Sequence, residues 1–419
     1  MSVPQSSNPA AGQPFPTDRR ALVLLLCGNV LFAAGLVVHA FLFNFYLREL
    51  ELPATVMGHQ VAAMTLGGLA ALIPAGLVID RWGTRLALLT GVGFTVAGLV
   101  LTALARNKGL ILGAAFLTGA GAAACRVSWG PAIMRLTSDE DRARAFSWNV
   151  ALLIGTSAAW TYTAGVLRDR TLMGDVAAGL TSTQATLIAG AAVTVLAAVC
   201  YAALPRAAAA RRATAAEAPL GLPRAGNLRL LIPLIALWMF AAALVLPFFN
   251  LYFADRYAMR VSDVGVVFAS AQLVSALVLI GAAELAARRG PRRMLFTWMA
   301  LLTPALVALS LGLPFWAAAT LYVIQGIVAP ATNPLIDQLL LERAPRERHG
   351  IVASWRNAAA EASGAAGAST GGWVLQTTSF TALLQLASVV AAASSLLLYG
   401  ALRTRASATT AGAPARRMT

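Results

Sequence analysis

Gly76-Leu77-Val78-Ile79-Asp80-Arg81-Trp82-Gly83-Thr84-Arg85 is a charged, glycine-bounded turn set between two long apolar runs. An apolar helix ends at Asp80 and Arg81, Gly83 reverses the chain, and Arg85 opens the next helix on the water side. Gly83 is expected to supply the tight turn, and Gly76 to let two backbones approach closely.

Counting outward from this turn gives twelve apolar runs, at 20–48, 54–80, 84–105, 109–135, 142–167, 180–204, 228–254, 262–287, 292–313, 315–341, 350–375 and 379–402. Each has the roughly 20 residues needed to cross a hydrocarbon layer as a helix. None shows the alternation of a barrel strand. Of the 419 residues 58% are hydrophobic and only 12% charged, at a mean hydropathy of +0.72. A soluble domain carries about a quarter charged residues, so the solvent of this chain is lipid. The fold expected is all-α: twelve transmembrane helices in two six-helix, pseudo-symmetric halves.

Basic residues set the orientation. With the start placed inside, inner segments hold 23 of the 32 Lys and Arg residues and outer loops seven, while Arg126 and Arg356 fall within helices. This asymmetry puts both termini in the cytoplasm of a cell-membrane protein. The net charge of +15 is dispersed over short inner loops, which argues against nucleic acid as a partner. Residues 1–19 read as a cytoplasmic tail without a signal-peptide pattern, and the first run as an uncleaved span. The halves are 20–204 and 228–402, joined by a cytoplasmic linker at 205–227, and 403–419 forms the C-terminal tail. They echo each other: Phe43-Asn44-Phe45-Tyr46 with Phe249-Asn250-Leu251-Tyr252, and Ser147-Trp148-Asn149 with Ser354-Trp355-Arg356. The turn is echoed by Arg288-Arg289-Gly290-Pro291-Arg292-Arg293, where Ala287 stands in place of Asp80.

With the turn placed between spans two and three, Gly76, Asp80, Arg81, Gly83 and Arg85 resemble the Gly-x-x-x-Asp-Arg-x-Gly-x-Arg loop of the major facilitator superfamily. The resemblance extends over nearly the whole chain. It implies a secondary transporter whose halves rock about a central site, and it implies neither an enzyme nor a cofactor. Arg126 through Gly130 resembles the Arg-x-x-x-Gly pattern in span four of the superfamily's antiporters. The Gly-Pro pattern those antiporters carry in span five is missing here. So is the acidic residue in span one of its cationic-drug exporters.

Charges buried in a membrane are expensive and usually functional. Arg126 and Arg356 are the candidate anchors for an anionic group, and Glu361, near the middle of span eleven, is the candidate proton site. Trp129, Trp148 and Trp355 are candidates for an aromatic wall, with Asn357 beside them. His39 reads as either a proton relay or a packing residue. Asp337 reads as a gate or a structural pair with an inner-loop arginine, and Asn44 with Asn250 as a hydrogen bond across the halves at the outer gate. Asp80, Arg81 and Arg85 form an inner latch that pairs when the carrier is open outward. Three scattered histidines and three cysteines inside apolar runs supply no metal-ligand spacing. The expected partners are a small organic substrate, protons and the bilayer, and the carrier is expected to act as a monomer. The first reading is proton-coupled export of a largely apolar or anionic compound. The alternative is proton-coupled import of a small organic anion.

Overall fold

A computed structural model describes residues 17–171, 180–205, 227–345 and 348–411. Most of the linker and the ends of both tails lie outside these residues. The described chain is helical throughout and forms α1 (Arg19–Glu49), α2 (Ala54–Trp82), α3 (Thr84–Leu104), α4 (Lys108–Leu136), α5 (Asp139–Thr171) and α6 (Ser182–Ala202). The second half comprises α7 (Leu228–Arg256), α8 (Val261–Arg289), α9 (Pro291–Ser310), α10 (Phe315–Leu341), α11 (His349–Thr377) and α12 (Phe380–Ala411). Eleven of these are apolar enough to span a membrane. The exception is α11, which has the length, 29 residues, but carries Arg356, Asn357, Glu361 and many small residues.

The deciding turn forms as its glycines require. Gly83 caps α2 at φ 84° and Gly290 caps α8 at φ 86°, so the two copies keep one backbone geometry although Ala287 replaces Asp80. Gly76 behaves differently from expectation. Nothing lies within 4 Å of where its Cβ would stand, so no backbone packs against it in this state. Its neighbours Asp80 and Arg81 are exposed at the end of the bundle that holds the termini, the inner end in the orientation the arginines predict.

The halves meet on the outer side through two related crossings. In one, Gly58 of α2 lies against the backbone of Ala368 and Ser369 in α11, and a Cβ on Gly372 would stand 2.6 Å from the Ala54 carbonyl. In the other, Gly265 of α8 lies against Thr161 of α5, and Gly165 lies against Val261 and Ser262. Small residues allow this contact, which is how helices gain packing energy without a hydrophobic driving force. On the axis between the crossings the Asn44 amide donates to Asn250 Oδ1 (2.9 Å) and to the Pro247 carbonyl, and the Asn250 amide donates to the Phe41 carbonyl (2.9 Å). Asn44 and Asn250 are 206 residues apart, and the outer ion pair Arg48–Asp255 spans 207. Each half repeats a tyrosine tie: Tyr46 donates to the Ala103 carbonyl and Tyr252 to the Leu309 carbonyl, 57 residues away in both cases. The symmetry breaks at Pro247, which interrupts α7 with the 3-10 turn Leu246–Phe248.

Candidate functional site

The hydrogen bonds and ion pairs described between the halves lie in the outer part of the bundle, except that the Gln272 amide donates to the Thr161 hydroxyl (3.2 Å) near mid-depth. Two of them are helix caps supplied across the interface. Asp169, at the end of α5, accepts from the Ser262 amide in the first turn of α8 (2.8 Å). Gln376, at the end of α11, accepts from the Thr55 amide in the first turn of α2 (3.3 Å). The first turn of a helix leaves its amides unpaired, so closing the outer face satisfies donors that opening must return to water. Arg168 reinforces one side by pairing with Glu49 (3.0 Å) and Asp169 (3.2 Å). A depression of about 470 Å³ remains there, lined in part by these residues, with Arg48 paired to Asp255 at its rim. The halves are therefore closed together at the end away from the termini and open at the end that holds them. Because an anionic cap is worth more than a neutral one, Asp169→Ala should raise the outward-open fraction more than Gln376→Ala. Spin-label distances across the outer face measure this, and equal shifts would mean that the cap's charge carries no weight.

The open side exposes the gap between the halves. Arg126, mid-way along α4, is exposed and sits beside Gly68 of α2, with Nη2 3.9 Å from where that residue's Cβ would be. Glu361 is exposed on α11. Among the described residues neither makes a hydrogen bond or an ion pair. They are the two deep charges without a partner, one of each sign and one from each half.

The register of α2 and α11, read at their contact, sets the two at similar depth. Ala54 meets Gly372 and Gly58 meets Ala368. Continued inward along antiparallel helices, this register sets Glu361 level with Thr65. Glu361 is seven residues from Ala368, about two turns, and so shares the face of α11 that looks at α2. Thr65 is one turn above Gly68, where Arg126 reaches in. The pair thus flanks one turn of α2, near mid-depth.

The other predicted residues fall elsewhere. Arg356 is not a free anchor: it donates to Asn333 (2.8 Å) and to Asn357 (3.1 Å). Its Nε is 3.0 Å from Asp337, near enough to pair by charge though not aligned for a hydrogen bond. Asp337 therefore pairs with α11 of its own half, not with an inner loop, and cancels the charge expected of Arg356. Asn357 lies one turn from Glu361 on the gap side. Trp355 and Trp148, 46% and 57% exposed, do not form an aromatic wall. Trp355 is turned about 120° from Glu361 and shares its face with exposed Trp373. Trp129 packs edge-on against Phe32 within the inner core of the first half. His39 is buried between α1 and α2, its Nε2 3.0 Å from the Gln60 amide, its ring stacked on Phe43 at 4.9 Å, and its Nδ1 without a partner. It lies on the sealed side. Of the inner motif, Arg85 donates to the Leu204 carbonyl (3.2 Å), tying α3 to the end of α6.

One arrangement gave no signal in the sequence. Tyr201 donates to Asn29 Oδ1 (2.8 Å), whose amide donates to Asn149 Oδ1 (2.7 Å), so that three buried side chains join α6, α1 and α5. Asn149 stood in the repeated Ser-Trp-Asn stretch, at the position Arg356 holds in the second half.

The architecture recurs in solved transporters. A bacterial homologue of the human lysosomal transporter Spinster, inward-facing and occupied, superposes with a TM-score of 0.76 at 15% identity, covering 94% of this chain and 98% of that one. A bacterial homologue of the iron transporter ferroportin, inward-facing, gives 0.73 at 14%, covering 91% and 98%. The nucleoside transporter NupG gives 0.70 at 13%, covering 92% and 98%. At such identities the likeness is one of fold. A search among curated proteins found no match. The family model described as Major Facilitator Superfamily matches residues 25–311 and 231–417. With its helix count, its repeated halves and its one-sided gap, this multi-pass membrane transporter belongs to the Major Facilitator Superfamily.

Proposed function

We propose that the chain is a proton-coupled secondary transporter of a small organic molecule, with Arg126 and Glu361 as its central site. The observation that carries this reading is the pair of unpartnered opposite charges at mid-depth, facing a gap that is sealed outside and open inside. Arg126 holds an anionic group of the cargo, and Glu361 takes up and releases the proton. Export by exchange with protons and import together with protons both use such a site. The second is favoured by the absence of the antiporter pattern in span five. Asp80, Arg81 and Arg85 act as the inner latch, undone in this inward-open state. The termini are cytoplasmic and the membrane is the cell membrane.

A thermal-shift screen of the purified protein against organic acids, amphiphilic drugs and sugars identifies the cargo class. For a stabilising organic acid, Arg126→Ala should weaken binding by about 10- to 100-fold, as loss of a charge-assisted contact of about 1.5–3 kcal/mol implies. Unchanged affinity would remove Arg126 from the site.

A further inference from the structure

We infer that the cargo is an organic anion that moves in the same direction as one proton, and that the empty carrier closes by pairing Arg126 with Glu361 across the halves. The inference rests on the reading of these two residues as the transport site, and it follows from what closure does to them.

In the inward-open state water solvates both groups. When the inner side closes, that water leaves, and an unpaired charge at mid-membrane then costs several kcal/mol. Every state that crosses the membrane must therefore neutralise both residues. The helices packed against α4 and α11 offer no other partner: on α1 only buried His39 lies between Arg20 and Arg48, on α3 no charge follows Arg85, and on α5 none lies between Arg144 and Arg168. On α2 there is no acidic or basic side chain between His59 and Asp80, and on α7 none between Arg229 and Asp255. On α4 Arg126 stands alone between Lys108 and Arg135, and on α12 no acidic or basic residue precedes Arg403. On α10 Asp337 is engaged by Arg356, the other charge of α11's inner half.

Two closed states then balance. Empty, Arg126 and ionised Glu361 neutralise each other across the turn Thr65–Gly68 that both flank. Loaded, the anion sits on Arg126 and a proton sits on the Glu361 carboxylate. That proton is taken from the aqueous side the cargo comes from and released on the other, and no covalent bond changes. Exchange of cargo for a proton fails this balance, because a protonated Glu361 without cargo leaves Arg126 bare. A cationic cargo fails for the same reason. The balanced cycle is electroneutral, one anion with one proton, and the carrier can return empty.

The test measures inner-face closure of the full-length protein in nanodiscs by spin-label distances, without ligand, at acid and alkaline pH. Raising the pH should raise the closed-to-open ratio of the wild type by about tenfold, within the usual range of coupling between sites. Glu361→Gln should stay open at both pH values. Arg126→Gln combined with Glu361→Gln removes both charges and should close at both. At acid pH a panel of benzoate, naphthalenesulfonate and citrate should promote closure of the wild type through at least one member, and Arg126→Gln should abolish that response. A single variant that closes like the wild type, or a double variant that stays open, overturns the pairing. Silence toward all three anions, or a response to tetraphenylphosphonium instead, overturns the anion as cargo. If no protein and no condition yields an inner-closed population, alternating access itself fails, which separates the two readings.

Discussion

Gly58→Leu should leave the carrier unable to seal its outer face. The helices α2 and α11 touch there backbone to backbone, and any side chain on Gly58 collides with the Ala368 carbonyl and the Ser369 backbone. Backbone atoms cannot rotate aside as a flexible side chain can. Overpacking costs about 1–3 kcal/mol, and here the cheapest relief is to part the helices. An outward-to-inward ratio raised by roughly 5- to 150-fold is the expected size of such a bias. Turnover should fall with it, because the inward-open state becomes rare. Spin labels on the outer ends of α2 and α11 report the change directly. Gly76→Leu is the matched control, since its added side chain meets open space in this state and should leave the outer distances unaltered. An unaltered outer distance in Gly58→Leu would mean that the crossing does not govern closure.

The second large effect is on stability. Asn29→Leu removes the middle of the Tyr201–Asn29–Asn149 chain and strands two buried polar groups. At about 1–3 kcal/mol for each unsatisfied group, the loss should total roughly 2–6 kcal/mol. It would appear as a markedly lower thermal midpoint in detergent. Asn149→Leu should cost less, because Asn29 keeps Tyr201. Combining the two should be less than additive, since they break one network. Strict additivity would show that the three side chains do not act together.

The sequence makes the fold legible for a simple reason. Lipid demands long apolar helices, loops gather their arginines at one end of the bundle, and the duplicated chain repeats its marks. The Asn44–Asn250 bond, the Arg126 and Glu361 positions and the two glycine turns could all be located by counting. What counting cannot supply is which way a side chain turns. Trp355 looks like a neighbour of Glu361 in the chain, yet rotation about α11 turns it about 120° away. Arg356 looks like a free cation because Asp337 is 19 residues away on another helix, and only packing joins them. Gly76 looks like a close-packing residue, yet no neighbouring backbone approaches it. The caps that Asp169 and Gln376 lend across the interface leave no pattern at all, for a cap given to a distant helix has no fixed spacing.

The polarity of α11 bears on how the protein is made. Arg and acidic residues at the centre of a helix each oppose insertion into the bilayer by about 2.5–3.5 kcal/mol, and this helix carries Arg356 and Glu361 along 29 residues of mostly small side chains. Emerging alone from a ribosome, it has little reason to leave the insertion channel for lipid. It becomes a membrane helix by joining partners already synthesised, with α7 and α2 offering the surfaces its glycines fit and Asp337 of α10 receiving its arginine. The charges of α11 thus make it a late and dependent guest during biosynthesis. Variants that weaken its glycine contacts would then be expected to lower the yield of inserted protein before any transport is measured.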